Sequence, residues 1–149
     1  MKFQFAIYSL LLIFLLNGCK NQSKTAEDSN TMQAESYPEV IVDQGYTNFK
    51  NKVPVTIKYM EIDGDILTLA ISFSGGCDEH EFELICNGAY AKSYPPQLTL
   101  FLRHDDKDDR CRSIVDKKLN FNLKPVQYPG TGQIVLKFNN TKEFIHYNY

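Results

Sequence analysis

Tryptophan is absent from the 149 residues, which removes the ring best suited to stacking on a sugar and weighs against a carbohydrate-binding platform. Net charge is nearly absent as well. Sixteen basic residues face eighteen acidic ones, for a formal charge of −2, so no electrostatic footprint for nucleic-acid phosphates exists. No internal repeat and almost no helical periodicity can be found, which argues against solenoids and helical bundles. The apolar stretch from Phe3 to Leu16 has fourteen residues. At about 1.5 Å per helical residue it falls short of a roughly 30 Å hydrocarbon layer, and a permanent transmembrane helix is the weaker reading. What is present is ordinary: 43% hydrophobic and 23% charged residues suit one globular core, and the length suits one domain rather than separate cofactor and substrate lobes.

The amino terminus reads as an address. Lys2, the apolar stretch and Asn17-Gly18-Cys19 form a charged start, a hydrophobic region and a small-residue cleavage point, the order of a signal peptide. Leu16-Asn17-Gly18-Cys19 resembles the lipobox of bacterial lipoproteins. The resemblance implies a signal peptide over residues 1–18 and a mature chain that begins at Cys19, its sulfur carrying a diacylglycerol. An ordinary secretory leader with an incidental cysteine is the alternative. Lys20 after the cysteine implies, by resemblance to Gram-negative lipoproteins, sorting to the outer membrane, on a face the sequence does not specify. Residues 19–37 are polar, with almost no large apolar side chain, and are expected to form a disordered tether that lifts the domain from its anchor. Residues 38–149 are expected to be the folded domain.

Within that domain the dominant pattern is period-two alternation in short runs between turn residues, the mark of half-buried strands. Val53, Val55, Ile57 and Tyr59 alternate with Pro54, Thr56, Lys58 and Met60. Asp63-Gly64-Asp65 then turns the chain into Leu67, Leu69, Ile71 and Phe73, which predicts a hairpin. His80, Phe82, Leu84 and Cys86 share one face and Glu79, Glu81, Glu83 and Ile85 the other, so the acidic side is expected in water. Asn87-Gly88 follows as a short hairpin turn. Further strands are expected at 98–103, 112–115, 119–123, 133–138 and 143–147. Seven to nine short strands predict an all-β fold, an antiparallel two-sheet sandwich of immunoglobulin-like type, with a small barrel as the alternative.

Three cysteines remain in the exported domain: Cys77, Cys86 and Cys111. An oxidising compartment favours one bridge and one leftover thiol. Cys86 lies on the apolar parity of its strand and reads as a small buried hydrophobe. Cys77 and Cys111 sit at loop ends and are the expected pair, other pairings or a fully reduced state being the alternatives. The same sulfurs with His80 and His104 would supply two thiolates and two imidazoles, a donor set that suits zinc or copper(I), so a metal site of Cys77, His80, His104 and Cys111 is the alternative function. A Cys77 nucleophile with His80 as its base lacks a third residue to orient the histidine. His80, His104 and Tyr94 are candidate ligand-binding residues. Tyr90, Tyr94, Tyr128, Tyr147 and Tyr149 could contribute to an amphipathic surface. Asp105, Asp106, Asp108 and Asp109 bunch four carboxylates but lack the glycine and distal glutamate of an EF-hand, and interleaved basic residues favour a solvated loop over calcium binding.

Ser74-Gly75-Gly76-Cys77-Asp78-Glu79-His80-Glu81-Phe82-Glu83-Leu84, Ser93-Tyr94-Pro95-Pro96-Gln97, Leu102-Arg103-His104, Asp109-Arg110-Cys111 and Leu119-Asn120-Phe121-Asn122-Leu123 together resemble the C-terminal β-sandwich of NigD-like lipoproteins of the Bacteroidetes and related single-domain lipoproteins. The likeness covers roughly residues 53 to 140. It implies a β-sandwich on a lipid anchor and no established activity, and the chain has too few residues for the additional N-terminal OB-type domain of NigD-like proteins. The expectation is therefore a non-enzymatic, lipid-anchored envelope protein without a cofactor. It would contact the membrane through its anchor and a protein or small ligand through its loops.

Overall fold

The computed structural model describes residues 36–47, 50–139 and 141–149; the leader, Cys19 and the expected tether up to Glu35 lie outside the described residues. Eight strands follow in order: β1 (Ile41–Val42), β2 (Val55–Asp63), β3 (Ile66–Gly75), β4 (Glu81–Cys86), β5 (Gln97–Asp105), β6 (Ser113–Asn122), β7 (Gln133–Phe138) and β8 (Phe144–Asn148), with one 3₁₀ turn at Lys124–Val126. They form two separate sheets, β1-β4-β5-β7-β8 and β2-β3-β6, and the small barrel is set aside. Alternation builds the interior. Leu67, Leu69, Ile71 and Phe73 of β3 and Phe121 of β6 face Leu84, Leu98, Leu100, Leu136 and Tyr147 of the larger sheet, all buried in one cluster.

The predicted first hairpin is present, closed by Gly64-Asp65 between Asp63 and Ile66, with Gly64 at φ +55° in the left-handed region glycine tolerates. The expected alternation breaks inside it. A bulge between Ile57 and Tyr59 inserts one residue and reverses the face parity. Tyr59, expected on the side of Val55 and Ile57, is therefore 55% exposed, and Met60 packs against the core instead. A second correction concerns the runs 112–115 and 119–123, which are one continuous strand, β6, paired with β3 over ten positions. Its charged middle does not interrupt pairing, because Asp116 turns outward to Lys58 Nζ at 2.7 Å and Lys117 lies over the Phe82 ring.

Asn87-Gly88 does not close a two-residue hairpin. Gly88 does use a positive φ, and the Asn87 side chain accepts from Ala89 N, but the chain then runs on through residue 96 before β5 begins. The larger sheet is also not wholly antiparallel, since β1 pairs with β4 and β5 with β7 in parallel. Nor is the Glu79 parity of β4 wholly solvated. Ile85 is buried beside its cross-strand partner Phe101, whose ring the Tyr46 ring covers.

Candidate functional site

The chain crosses between the sheets twice at one end of the sandwich, from β3 to β4 over residues 76–80 and from β5 to β6 over residues 106–112. The candidate cysteines and histidines collect where these connections meet. Gly75 and Ser113 form the last pair of the β3–β6 ladder. Two residues further out on each chain lie Cys77 and Cys111, joined as a disulfide with Cα atoms 5.8 Å apart. Cys86 is free and buried, and burial pushes its thiol up from the ordinary range, which makes it inert.

His80, from the β3–β4 connection, and His104, near the end of β5, meet in the interior, His80 Nδ1 lying 2.8 Å from His104 Nε2. Phe82 and His104 are cross-strand partners, and their rings stack 4.6 Å apart, while Phe73 covers His80 at 4.8 Å. At one end of the pair, His104 Nδ1 donates to Val53 O at 3.2 Å. At the other, His80 Nε2 faces Asp109 Oδ2 at 3.1 Å with both side chains 1% exposed. Asp109 also accepts from the N–H groups of Cys77 (3.0 Å), Asp78 (3.3 Å) and Cys111 (2.8 Å). The Cys111 N–H leads in holding its carboxyl well below the usual carboxylate range, helped by Cys77, Asp78 and His80 and opposed by burial. Burial lowers His104 below the ordinary histidine value, opposed by the Val53 carbonyl.

Both shifts carry the same sign in stability. The unfolded His104 binds a proton near pH 6.5 that the buried ring resists, so its contribution is present above that pH and is lost as the pH falls through it. The unfolded Asp109 carboxyl protonates near pH 3.8 while the folded one stays ionised, so its contribution is lost below that value. The melting temperature is therefore expected to fall from pH 7 to 5 and more steeply below 4, with Asp109→Asn flattening the lower limb. A thermal melt series across pH reads this directly, and a constant or rising midpoint toward acid would contradict it.

Gly75 is required here for space. A Cβ at that position would lie 2.7 Å from His80 Nε2, closer than the ring can tolerate, and 3.1 Å from Asp109 Oδ2, which would have to give by a few tenths of an ångström. Gly75→Ala is expected to push His80 off Asp109 and to destabilise the domain by about 1–3 kcal/mol, the usual cost of overpacking, measurable by urea unfolding.

Two residues of the site, Asn51 and Asp109, are not legible as such in the sequence. The Asn51 side chain behaves as a short length of strand, donating to Leu102 O at 2.9 Å and accepting from His104 N at 3.0 Å, and nothing in its neighbourhood signals that role. Asp109 was grouped with the solvated aspartates. Asp105 and Asp108 fit that expectation, the first paired with Lys107 and the second with Lys52. Asp106 and Asp109 do not: Asp106 is buried, reaching Lys52 Nζ at 3.8 Å, and the Asp109 side chain is shielded from solvent although its backbone is not. The signal for Asp109 was its place two residues before Cys111, from which a carboxylate can turn the backbone and accept the Cys111 N–H.

The four expected donors Cys77, His80, His104 and Cys111 do converge, but as a disulfide beside a hydrogen-bonded imidazole pair. Sulfurs bonded to each other are not thiolate ligands, so the alternative metal set is not assembled in this oxidised form, and Cys77 is no nucleophile for His80 to activate. Tyr94 is not brought to the histidines. His80 and His104 flank the Glu81–Asp105 end of the β4–β5 ladder, whereas Tyr94 sits on the connection at its other end and is 86% exposed. Of the remaining tyrosines, Tyr147 lies on β8 and is fully buried, Tyr90 packs on Tyr128 and Tyr147 on Tyr149, and Tyr128 and Tyr149 stay partly open to solvent.

A family model described as the NigD-like C-terminal beta sandwich domain matches residues 40–148. Among solved structures, a NigD-like immunity protein from Bacteroides caccae is similar at 14% identity and a TM-score of 0.51, over 74% of this chain and 58% of that one. A protein of unknown function from Bacteroides vulgatus is similar at 16% identity and a TM-score of 0.49, over 76% of this chain and 57% of that one. The chain thus spans less than two thirds of the length of either. No curated protein sequence matches.

Proposed function

We propose, from the premise that this chain belongs to the family of NigD-like C-terminal beta sandwich domains, that it is a lipid-anchored, non-enzymatic binding module of the cell envelope. The observation that carries this reading is saturation of the place where, among the described residues, reactive side chains gather. All four ring nitrogens of His80 and His104 and both oxygens of Asp109 are occupied by partners within the chain, and the flanking sulfurs are bonded to each other. A general base or nucleophile needs a lone pair within reach of a substrate. The cluster offers none and acts as a staple. Binding then falls to the surface, where the Tyr94 ring stands in solvent as an amphipathic contact of the kind interfaces favour. A protein is the ligand class this supports, in keeping with the immunity description of the Bacteroides caccae neighbour, whose likeness is one of fold. The anchor is Cys19, from Leu16-Asn17-Gly18-Cys19, and Lys20 supports the outer membrane.

Two measurements on protein extracted from the envelope test the reading. Intact mass is expected to show a chain that begins at a diacylglyceryl-modified Cys19 and that stays with the membrane through an alkaline wash, whereas Cys19→Ser remains unprocessed. An unmodified, washable chain would remove the anchor. Thiol titration of the denatured, lipidated chain is expected to find Cys86 alone. Three thiols would remove the staple and reopen the four-donor metal site.

A further inference from the structure

The line from Asp109 through His80 and His104 to Val53 has three gaps, and each is a hydrogen bond: 3.1 Å, 2.8 Å and 3.2 Å. Its two ends accept only. A backbone carbonyl has no proton to give, and Asp109, with three backbone N–H groups directed at its oxygens, is held as the anion. Three gaps between two acceptors need three N–H protons, and two neutral imidazoles carry two between them. With only two, one gap sets lone pair against lone pair inside the core, a repulsion that buried polar groups avoid. We infer that the His80–His104 pair is a buried proton-binding site, holding one proton more than two neutral rings, and that this proton clasps the two inter-sheet connections together.

The surroundings suit a delocalised cation. Asp109 compensates the charge from the 106–112 connection. Asp105 and Asp106, following His104 at the end of β5, act on it in the same direction. The faces of Phe73 and Phe82, from β3 and β4, lie against the two rings, the geometry of a cation–π contact. Two nearby cations are engaged elsewhere: Lys52, on the segment before β2, pairs with Asp106 and Asp108, and Lys117 of β6 rests on Phe82. Glu81 of β4 turns outward to Lys107. The lowered value of His104 fits a pair in which the additional proton rests toward Asp109. Losing it leaves one gap without a proton and frees the carboxylate that organises the disulfide loop.

Nitrogen-15 NMR of the ring nitrogens in the mature protein decides the matter. At neutral pH, His80 Nε2 and His104 Nδ1 are expected to be protonated simultaneously, with a third proton between His80 Nδ1 and His104 Nε2. As the pH is raised, one end should become bare while exchange of the Cys77, Asp78 and Cys111 amides accelerates about tenfold beyond the intrinsic base-catalysed rise, the factor set by one charge-assisted hydrogen bond. A bare nitrogen at either end at neutral pH overturns the site. Three protons with no alkaline loosening overturn the clasp. Asp109→Asn is expected to give up the third proton at neutral pH; where that variant does not fold, the wild-type measurements decide alone.

Discussion

Replacing Cys77 and Cys111 together by alanine is expected to lower the unfolding free energy by about 3–4 kcal/mol, the chain-entropy value for releasing a loop of this size. The two residues are 34 positions apart, and the loop between them contains β4 and β5, whose ends carry His80 and His104. Opening it in the unfolded chain restores freedom to a large part of the larger sheet. For a domain of this size the loss corresponds to a fall in melting temperature of roughly 10–20 °C. Differential scanning calorimetry of the double variant measures it, and dithiothreitol on the wild type should reproduce the shift. A change under about 1 kcal/mol would mean that the β3–β6 ladder and the Asp109 hydrogen bonds already hold the connections without the bridge.

Leu100→Ala should cost about as much by a different route. Leu100 is fully buried on β5, the middle strand of the larger sheet, opposite Phe138 of β7. Strands on both sides limit how far the site can collapse, so removing the side chain forfeits transfer free energy and leaves a cavity, a combined cost of about 2–5 kcal/mol. The urea midpoint is expected to fall with the slope of the transition unchanged. The comparison with the cysteine variant is informative, because the bridge acts mainly on the unfolded ensemble and the leucine on the folded one. A reduced protein carrying Leu100→Ala should lose close to the sum, since the two changes share no partner.

Period-two alternation made β2, β3, β4 and β7 readable, and β7 matches its expected bounds of 133–138, because a strand buried on one face advertises its register in every second residue. The same logic placed His80 inside, with Phe82 and Leu84. It failed where one residue breaks the period, at the bulge that turns Tyr59 outward, and where charge on an outward face resembles a break, at Asp116 in β6. Parallel pairing of β5 with β7 was beyond reach, since alternation reports which face is buried and not which strand lies alongside or in what direction. In the site, cysteine position at loop ends pointed to the Cys77–Cys111 pair. Asp109 was hidden among aspartates because burial is a property of the crossing connections, and four carboxylates in five residues look alike until the fold separates two for solvent and two for the interior. Asn51 is the extreme case, since its partners Leu102 and His104 lie about fifty positions away.

The bridge continues the spacing of the β3–β6 ladder, each cysteine two steps beyond the last paired residues. Sulfur atoms so placed come face to face when the ten pairs ahead of them have zipped in step; a slip of one residue would swing the thiol groups to opposite sides of the ribbon. Oxidation of the pair thus works as proofreading: it locks the chain that has aligned itself and passes over the one that has not, while the Cys86 thiol withdraws from the contest once the interior has closed around it.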